Sequence, residues 1–322
     1  MSKTAKIWLF TALILIVLGI VIFGGVMTVF NWDLTKFQQD KYETNSYDIK
    51  ETFKSITVNT DTADIEFIAS ENSKCSVVCF EQKNVKHSVG VKDGALVIEA
   101  VDSRKWYEFI CINFAKTKIT VYMPKGEYGA LSIDSDTGDV DIPADFTFES
   151  IDVEESTGDV TNFASVSGEI NIETSTGNIC VENISAGSLE LSVSTGKVTV
   201  NNIQCDGKIS VEVSTGKSSL NGITCKSFYS NGDTGDISLV NVIAEERFDI
   251  ERSTGDVKME ACDAGEVTIV TDTGDVTGTF LSQKAFIAKS DTGRVNVPDS
   301  ITGGRCEIST DTGNIKIEVL SR

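Results

Sequence analysis

The sequence predicts an all-β protein, a single-stack parallel β-solenoid of about ten to eleven rungs with an N-terminal antiparallel β cap and one preceding transmembrane helix. Three observations predict this fold. A Thr-Gly pair recurs every 19 or 20 residues, apolar and polar residues alternate on both sides of each pair, and the chain begins with a charge-free apolar run. A sequence with a fixed period has to be considered first as a repeat array.

The composition excludes several classes of function. Among 322 residues, Lys and Arg number 28 and Asp and Glu number 48, which gives a formal net charge of −20. A surface this acidic repels phosphate backbones, so no nucleic acid is expected as a partner. One histidine in the whole chain excludes a cage of several histidines around a metal. We predict no catalytic residue, no cofactor-binding residue and no metal ligand.

The first element is an apolar run without any charged residue from Ile7 to Trp32. A helix rises about 1.5 Å per residue and needs roughly 20 apolar residues to cross a bilayer, so residues 7–32 are long enough. Trp8 and Trp32 lie where aromatic anchors are found at the two membrane interfaces. A cleaved signal peptide with its exit at Gly24-Gly25 is the alternative, and the length of the run favours an uncleaved anchor.

The flanks of this run predict how the protein is oriented. Residues 1–6 form a short stub without acidic residues, which is the easier end to leave in the cytoplasm. Residues 33–50 are polar and of mixed charge, which predicts a stalk. The expected location is therefore the cell membrane, crossed once, with the C-terminal domain extracytoplasmic.

The main element is the repeat itself, over residues 131–322. Period-2 alternation on both sides of a glycine predicts two short strands joined at a tight corner, where glycine accepts a positive φ. We expect the threonine hydroxyls to hydrogen-bond from rung to rung as a ladder. The predicted corner ladder consists of Thr137, Gly138, Thr157, Gly158, Thr176, Gly177, Thr195, Gly196, Thr215, Gly216, Thr234, Gly235, Thr254, Gly255, Thr273, Gly274, Thr292, Gly293, Thr312 and Gly313.

Apolar columns appear when the repeats are aligned on the glycine. The position seven residues before it is apolar in every copy, and the position two after it is Val or Ile except at Ser218. The position five before it is Ile, Val or Leu except at Ser230 and Ala288. A further column, seven after the glycine, ends at Leu281. One unit of about 19 residues cannot bury such a face alone, whereas stacked units bury a continuous core.

Residues 51–130 are predicted to hold the first rung and the cap. In an eleventh copy Ala63 takes the place of the glycine, with Ile56 and Val58 before it and Ile65 after it. Residues 75–123 alternate strongly but leave the period. They therefore predict an antiparallel cap that seals the open end of the stack.

The stretch Ile119–Pro124, followed by Leu131–Val140, resembles the bacterial putative-adhesin β-strand-repeat family of unknown function, which includes LiaG-type membrane-anchored proteins. The resemblance extends from about residue 50 to the end of the sequence. It implies the fold, a membrane-anchored layout and an association with cell-envelope stress systems of Gram-positive bacteria. Because the shared motifs are structural, the resemblance implies no activity.

Two acidic patterns suggest chemistry. Asp-Thr-Gly is the tripeptide of aspartic proteases, but here it alternates with Ser-Thr-Gly along one edge, where two copies cannot face each other. After the glycine, Asp236, Asp256 and Asp275 fall in one column. Such a column is either a Ca²⁺ site or a solvated acidic edge that keeps the rod soluble, and the absence of glycine-rich Asp nonapeptides favours the edge.

The cysteines differ in their expected roles. Cys205 and Cys225 each follow their glycine by nine residues, so neighbouring rungs bring them to about 4.8 Å, within reach of a disulfide. Free thiols are the equal alternative for this pair. Cys262 and Cys306 occupy apolar columns and are expected to be small core residues.

The cap contains three further cysteines and the histidine. Cys75, Cys79 and Cys111 show no paired C-x-x-C spacing, so they do not predict a zinc site. His87 has no partner nearby in the sequence and is expected at the surface.

Together these patterns predict a non-enzymatic adhesin-like or envelope-stress interaction module. Its acidity favours a cationic partner, which is a protein, a peptide or a wall polymer. The alternative is a carbohydrate-active β-helix enzyme that acts on a cell-wall polymer, although the short intervals leave no room for the loops of a cleft. The last repeat, with Ile315, Ile317 and Val319, is expected to end the stack as an exposed edge available for self-association.

Overall fold

A computed structural model describes residues 3–29, 32, 42–71, 74–104 and 116–320. Within these residues one helix precedes 24 strands, and the strands belong to one hydrogen-bonded sheet. The helix is α1 (Lys3–Val29), and the strands are β1 (Tyr42–Ile49), β2 (Ser55–Thr62), β3 (Asp64–Ala69), β4 (Cys75–Gln82), β5 (Val85–Lys92), β6 (Ala95–Asp102), β7 (Lys118–Met123), β8 (Gly126–Thr137), β9 (Val140–Ile142), β10 (Phe146–Thr157), β11 (Val160–Asn162), β12 (Ser165–Val166), β13 (Glu169–Thr176), β14 (Ile179–Ala186), β15 (Ser188–Cys205), β16 (Lys208–Thr234), β17 (Ile237–Thr254), β18 (Val257–Cys262), β19 (Glu266–Thr273), β20 (Val276–Phe280), β21 (Lys284–Thr292), β22 (Val295–Asn296), β23 (Gly304–Thr312) and β24 (Ile315–Val319).

Helix α1 has the length and composition needed to cross a membrane. Its segment Trp8–Val29 has a mean hydropathy of 2.8, and its most apolar stretch is not buried among the described residues. A signal sequence near an N-terminus has the same properties. The helix ends at Val29, three residues before the predicted end of the span.

The repeats stack as parallel rungs, as predicted. Ile170 pairs with Leu189, and Leu189 pairs with Ile209, so residues at the same repeat position lie side by side. The fold is a parallel β-solenoid of about ten turns. In each rung we call the strand before the corner glycine the leading side and the strand after it the trailing side.

The apolar columns line one continuous core, also as predicted. Ile170, Ile172 and Val181 are completely buried, as are their equivalents in most rungs. The prediction that Leu281 belongs to the apolar column seven residues after the glycine is wrong. Leu281 is 37% exposed, and Phe280 fills the column instead. The cause is a register shift between Met259 and Cys262, which pairs Cys262 with Phe280.

A second column of left-handed residues lies six positions after the corner glycine. Its members have φ between 51° and 66°, and they are Asn183, Asn202, Gly222, Asn241 and Ala261. Asparagine and glycine tolerate this conformation better than other residues. These five rungs therefore bend again after the trailing strand, which the sequence analysis did not predict.

The cap closes the N-terminal end of the stack with antiparallel strands, as predicted. Strand β4 lies between β1 and β7 and is antiparallel to both, while β5 is antiparallel to β6. Strands β6 and β7 pair in parallel with β2 and β3 of the first rung. The predicted stalk is wrong in its second half, because Tyr42–Ile49 forms β1 and pairs along its whole length with β4.

The other end of the stack is interleaved. Strand β23 pairs with β19 on one side and with β21 on the other. The repeat Gly304–Val319 therefore lies inside the stack, between the repeat that begins at Glu266 and the one that begins at Lys284. The predicted exposed edge at Ile315, Ile317 and Val319 is thus misplaced: Ile315 and Ile317 are buried, and the edge rung consists of β21 and β22.

A buried ion pair accompanies this arrangement. The side chain of Lys284, at the start of β21, is 3% exposed and lies 2.5 Å from Asp263 Oδ1. Its ammonium also donates hydrogen bonds to the carbonyl of Ala264, at 2.5 Å, and to Ser282 Oγ, at 2.9 Å. Charged groups are buried when they are paired and hydrogen-bonded, so these contacts hold the end of the edge rung against the stack.

Candidate functional site

The corner glycines pack against one another along the stack. A Cβ built on Gly216 would lie 1.6 Å from the carbonyl oxygen of Gly196, and its φ is 146°. The same contact with the neighbouring rung recurs at the other predicted corner glycines, at 1.6–2.1 Å. Any side chain at these positions would separate the rungs, so the recurring glycine is explained by close backbone approach as well as by φ.

The corner threonines lie in file but do not form the predicted hydroxyl ladder. Thr157 pairs with Thr176, and Thr176 pairs with Thr195, in register. Their side chains are exposed, and within the described part of the chain the hydroxyls of the predicted ladder form no hydrogen bond. The rungs are linked here by backbone bonds such as that from Gly177 N to the carbonyl of Thr195, at 3.0 Å.

A side-chain ladder does exist, one residue after the glycine. Asp159 N donates to Asp139 Oδ1 at 3.0 Å, Asn178 N donates to Asp159 Oδ1 at 2.8 Å, and Lys197 N donates to Asn178 Oδ1 at 3.0 Å. Each carboxylate or amide oxygen thus accepts the backbone N–H of the next rung. The structural role of the Asp and Asn residues in this column is to satisfy these donors.

The same ladder continues through Asp236, Asp256 and Asp275. Asp256 N donates to Asp236 Oδ1 at 3.2 Å, and Asp275 N donates to Asp256 Oδ1 at 3.0 Å. The backbone hydrogen bond from Asp256 lowers the pKa of Asp236. Lys217 and Lys258 pair with Asp236 and Asp256, each at 3.3 Å. Among the described residues these carboxylates do not converge on one point, which favours the solvated edge over a Ca²⁺ site.

The outward face of the leading side is densely acidic. Seven exposed carboxylates stand four or six residues before their corner glycine, and they are Asp134, Asp152, Glu154, Glu173, Glu190, Glu212 and Glu251. On the trailing side of the middle rungs, the outward column three residues after the glycine is uncharged, and its members are Thr161, Cys180, Thr199, Ser219 and Ser238. In the middle rungs this trailing column therefore carries no charge, in contrast to the outward columns of the leading side.

Glu155 lies on the inside of the leading side. Glu155 is 4% exposed, and its Oε2 has no hydrogen-bond partner among the described residues. Thr157 N donates to Oε1 at 3.2 Å. Burial raises the pKa of Glu155 to about 7, because a buried carboxylate loses its hydration.

Arg252 also points into the core and is 1% exposed. Its guanidinium donates to Ser230 Oγ at 2.7 Å, to Ser218 Oγ at 3.4 Å and to the carbonyl of Asn231 at 3.3 Å. Burial lowers the pKa of Arg252 to about 10. A Cβ on Gly232 would lie 1.7 Å from Nη1, so this glycine provides the space that the guanidinium occupies.

A cluster of three metal-ligating side chains lies inside the cap. Cys79 and Glu81 are fully buried and His87 is 5% exposed, so the expectation of a surface histidine is wrong. His87 Nδ1 lies 2.7 Å from Glu81 Oε2, and His87 Nε2 lies 2.9 Å from Thr60 Oγ1. Burial, with a smaller contribution from the charge of Glu81, raises the pKa of Cys79 to about 12. The pairing of β4 with β5 brings the cluster together, which residue spacing alone does not indicate.

The remaining cysteines are free thiols in the structure. Cys205 and Cys225 occupy equivalent positions on neighbouring rungs and are both buried, without a bond between them. Burial raises the pKa of both thiols, that of Cys225 to about 12. Cys262 and Cys306 are completely buried, as expected of core residues. Cys111 lies outside the described residues.

The continuous core, the in-register corners and the short period define a β-solenoid repeat protein. The model of the Toastrack DUF4097 family matches residues 53–212 and 206–321. The chain therefore belongs to the Toastrack DUF4097 family, which agrees with the resemblance to putative-adhesin repeat proteins inferred from sequence.

The chain is similar to several solved structures. A putative adhesin from Parabacteroides distasonis ATCC 8503 has a TM-score of 0.51 and 13% identity, over 76% of this chain and 98% of that chain. A putative adhesin from Bacteroides fragilis NCTC 9343 has a TM-score of 0.44 and 17% identity, over 86% and 97%. A putative lipid binding protein from P. distasonis has a TM-score of 0.47 and 17% identity, over 86% and 97%. The comparison with curated proteins finds no match.

Proposed function

We propose that α1 anchors the protein in the cell membrane and that the β-solenoid, on the extracytoplasmic side, is a non-enzymatic, adhesin-like module that binds a cationic partner. The apolar Trp8–Val29 segment and membership in a family with adhesin-like structural relatives support this proposal. In this arrangement residues 1–6 are cytoplasmic. The cap lies next to the membrane in sequence, and the rungs extend the binding surface away from it.

The observation that carries the proposal is the acidic leading side. Exposed carboxylates recur along the leading side from Asp134 to Glu251, whereas the column three residues after the corner glycine is uncharged from Thr161 to Ser238. A row of negative charges attracts an elongated cationic chain and speeds its association. The partner is therefore a cationic protein, peptide or wall polymer, for example an envelope-active peptide, and its binding should weaken as salt increases.

Binding to this face is tested with the full-length protein in detergent and a fluorescent oligolysine as the probe. We expect oligolysine to bind, oligoglutamate not to bind, and affinity to fall steeply with salt. The triple variant Glu154→Gln, Glu173→Gln, Glu212→Gln should lose most of the affinity. The control variant Glu245→Gln, Glu260→Gln, Glu318→Gln removes the same charge from exposed positions outside the leading side. Equal losses in both variants would show that net charge, rather than this face, attracts the probe.

The orientation is tested separately in intact cells. Protease added outside the cells should degrade the solenoid, or release it as a resistant fragment, while a tag fused before residue 1 stays protected. A solenoid that is cleaved only after cell lysis would place it in the cytoplasm and overturn the proposal.

A further inference from the structure

The hairpin of β4 and β5 brings three different metal-ligating groups together in the cap. Cys79 and Glu81 are two residues apart on the inner face of β4, and His87 reaches them from β5. Their ligand atoms all lie within 4.8 Å of one another. Among the described residues this is the one group of three such side chains that meets this distance, and all three are buried.

The donor set selects the kind of metal. A thiolate, a carboxylate and an imidazole are all ligands of zinc, whereas calcium and magnesium prefer oxygen ligands alone. Two negative ligands balance the charge of Zn²⁺ when the imidazole is neutral. A filled site is therefore electrically neutral overall, as burial requires of charged groups.

Neighbouring polar groups hold two of the ligands in place. Asn45 Nδ2 donates to Glu81 Oε1 at 2.6 Å, and Tyr47 OH donates to the carbonyl of His87 at 3.0 Å. Thr60 Oγ1 engages His87 Nε2, so Nδ1 is the nitrogen that faces Glu81. Hydrogen bonds of this kind orient the ligands of metal sites and sustain their affinity.

A cavity of about 160 Å³ lies beside the cluster and is lined by His87. Its lining includes Thr60, Gln82, His87, Arg104 and Thr117. Tetrahedral zinc with three protein ligands takes water as the fourth, and this cavity has room for it.

We propose that Cys79, Glu81 and His87 bind one Zn²⁺ ion, which fastens β4 to β5 and strengthens the cap. Zinc replaces the hydrogen shared by His87 Nδ1 and Glu81 Oε2, and these two atoms, now 2.7 Å apart, separate to reach Zn–N and Zn–O distances of about 2.0–2.2 Å. The role is structural and independent of the proposed binding of a cationic partner.

The test uses the full-length protein in detergent, kept reduced with a phosphine, freed of metal with EDTA and then titrated with ZnCl₂ or CoCl₂. We expect one tightly bound zinc per chain, a rise in Tm with zinc, and a thiolate-to-cobalt charge-transfer band. Cys79→Ser and His87→Gln should each lower the affinity at least about 10-fold, by analogy with the effect of weaker perturbations of metal sites. Cys306→Ser is the matched control, since this thiol is equally buried but lies at the far end of the stack, and it should leave binding unchanged.

X-ray absorption of the zinc-loaded natural sequence keeps the test decisive if the Cys79 variant does not fold. One sulfur and otherwise nitrogen or oxygen neighbours are expected around the zinc. Absence of tight zinc binding, a first shell without sulfur, or a charge-transfer band that persists in a folded Cys79→Ser variant would each overturn the proposal.

Discussion

Arg252 Nη2 donates a hydrogen bond of 2.7 Å to Ser230 Oγ, one rung earlier and inside the core. Ser218 and Ser230 are the positions where small hydroxyl residues interrupt otherwise apolar columns, and both contact this guanidinium. Gly232 leaves room for it. Three departures from the repeat thus accommodate one buried cation.

We expect the protein to be more stable when Arg252, Ser218 and Ser230 are all replaced by apolar residues together. No carboxylate contributes to the pKa of Arg252, so its desolvation is balanced only by neutral acceptors. The triple variant Arg252→Met, Ser218→Val, Ser230→Val should raise the free energy of unfolding by about 1–3 kcal/mol. The single variant Ser230→Ala should lower it by about 1–2 kcal/mol, because a buried donor loses its partner. Urea unfolding measures both, and a triple variant less stable than Ser230→Ala would contradict this account.

A side chain at a corner should disrupt the stack. In Gly216→Ala the new Cβ meets the carbonyl oxygen of Gly196 at 1.6 Å, at a φ that alanine rarely adopts. We expect a loss of about 3 kcal/mol or more, seen as a lower Tm. The control is Gly90→Ala in β5, where no atom lies within 4 Å of the added Cβ. That variant should change stability by about 0.5 kcal/mol or less, so similar losses at both positions would refute the steric explanation.

Glu155 should make stability depend on pH. Its pKa is raised to about 7 in the folded protein, above the usual glutamate value of 4.5, so the folded state holds the proton more tightly. The stabilisation is fully present below about pH 4.5 and is lost as the pH rises through about 7. The free energy of unfolding of Glu155→Gln, relative to that of the natural sequence, should therefore rise by about 2–3 kcal/mol from pH 5 to pH 8. Denaturant unfolding at the two pH values measures this, and a constant difference would show that Glu155 does not titrate in this range.

Replacing Ala261 by glycine should stabilise the protein. It has a φ of 51° in a column where the equivalent residues are asparagine or glycine. A left-handed conformation costs a non-glycine residue about 1–2 kcal/mol, so Ala261→Gly is expected to raise the free energy of unfolding by up to about 1 kcal/mol. Asn241→Ala places alanine at the equivalent position of the preceding rung and should lower the free energy of unfolding. A Tm that falls in Ala261→Gly would contradict the prediction.

Cys205 and Cys225 should be recovered as thiols. Both are buried, and the raised pKa of each disfavours the thiolate that disulfide formation requires. Alkylation of the unreduced, denatured protein, followed by mass spectrometry of the two peptides, should find both cysteines modified. A linked pair of peptides would instead establish the disulfide that their spacing permits.

The features of the fold that depend on the 19- or 20-residue period could be predicted from the sequence. Corners, core columns and parallel stacking all follow from the spacing of Thr-Gly, and the column at Asn183, Asn202 and Asn241 offered a signal for the second bend. The position of His87 was not predictable, because its neighbours in sequence are polar and its burial depends on pairing with Glu81 across a hairpin. The order of the last two repeats in the stack was equally unpredictable. Both final repeats carry the same apolar pattern, so either order satisfies the columns.

That interleaved end dictates an order of assembly. The segment Lys284–Asn296 leaves the ribosome before Gly304–Val319, yet its native neighbour is the later segment. Docking directly onto the strand at Glu266–Thr273 would give a regular but wrong pairing that occupies the place of β23. Native folding therefore requires the free edge of β19 to stay unpaired until Gly304–Val319 docks on it, and β21 and β22 then pair with β23 and β24.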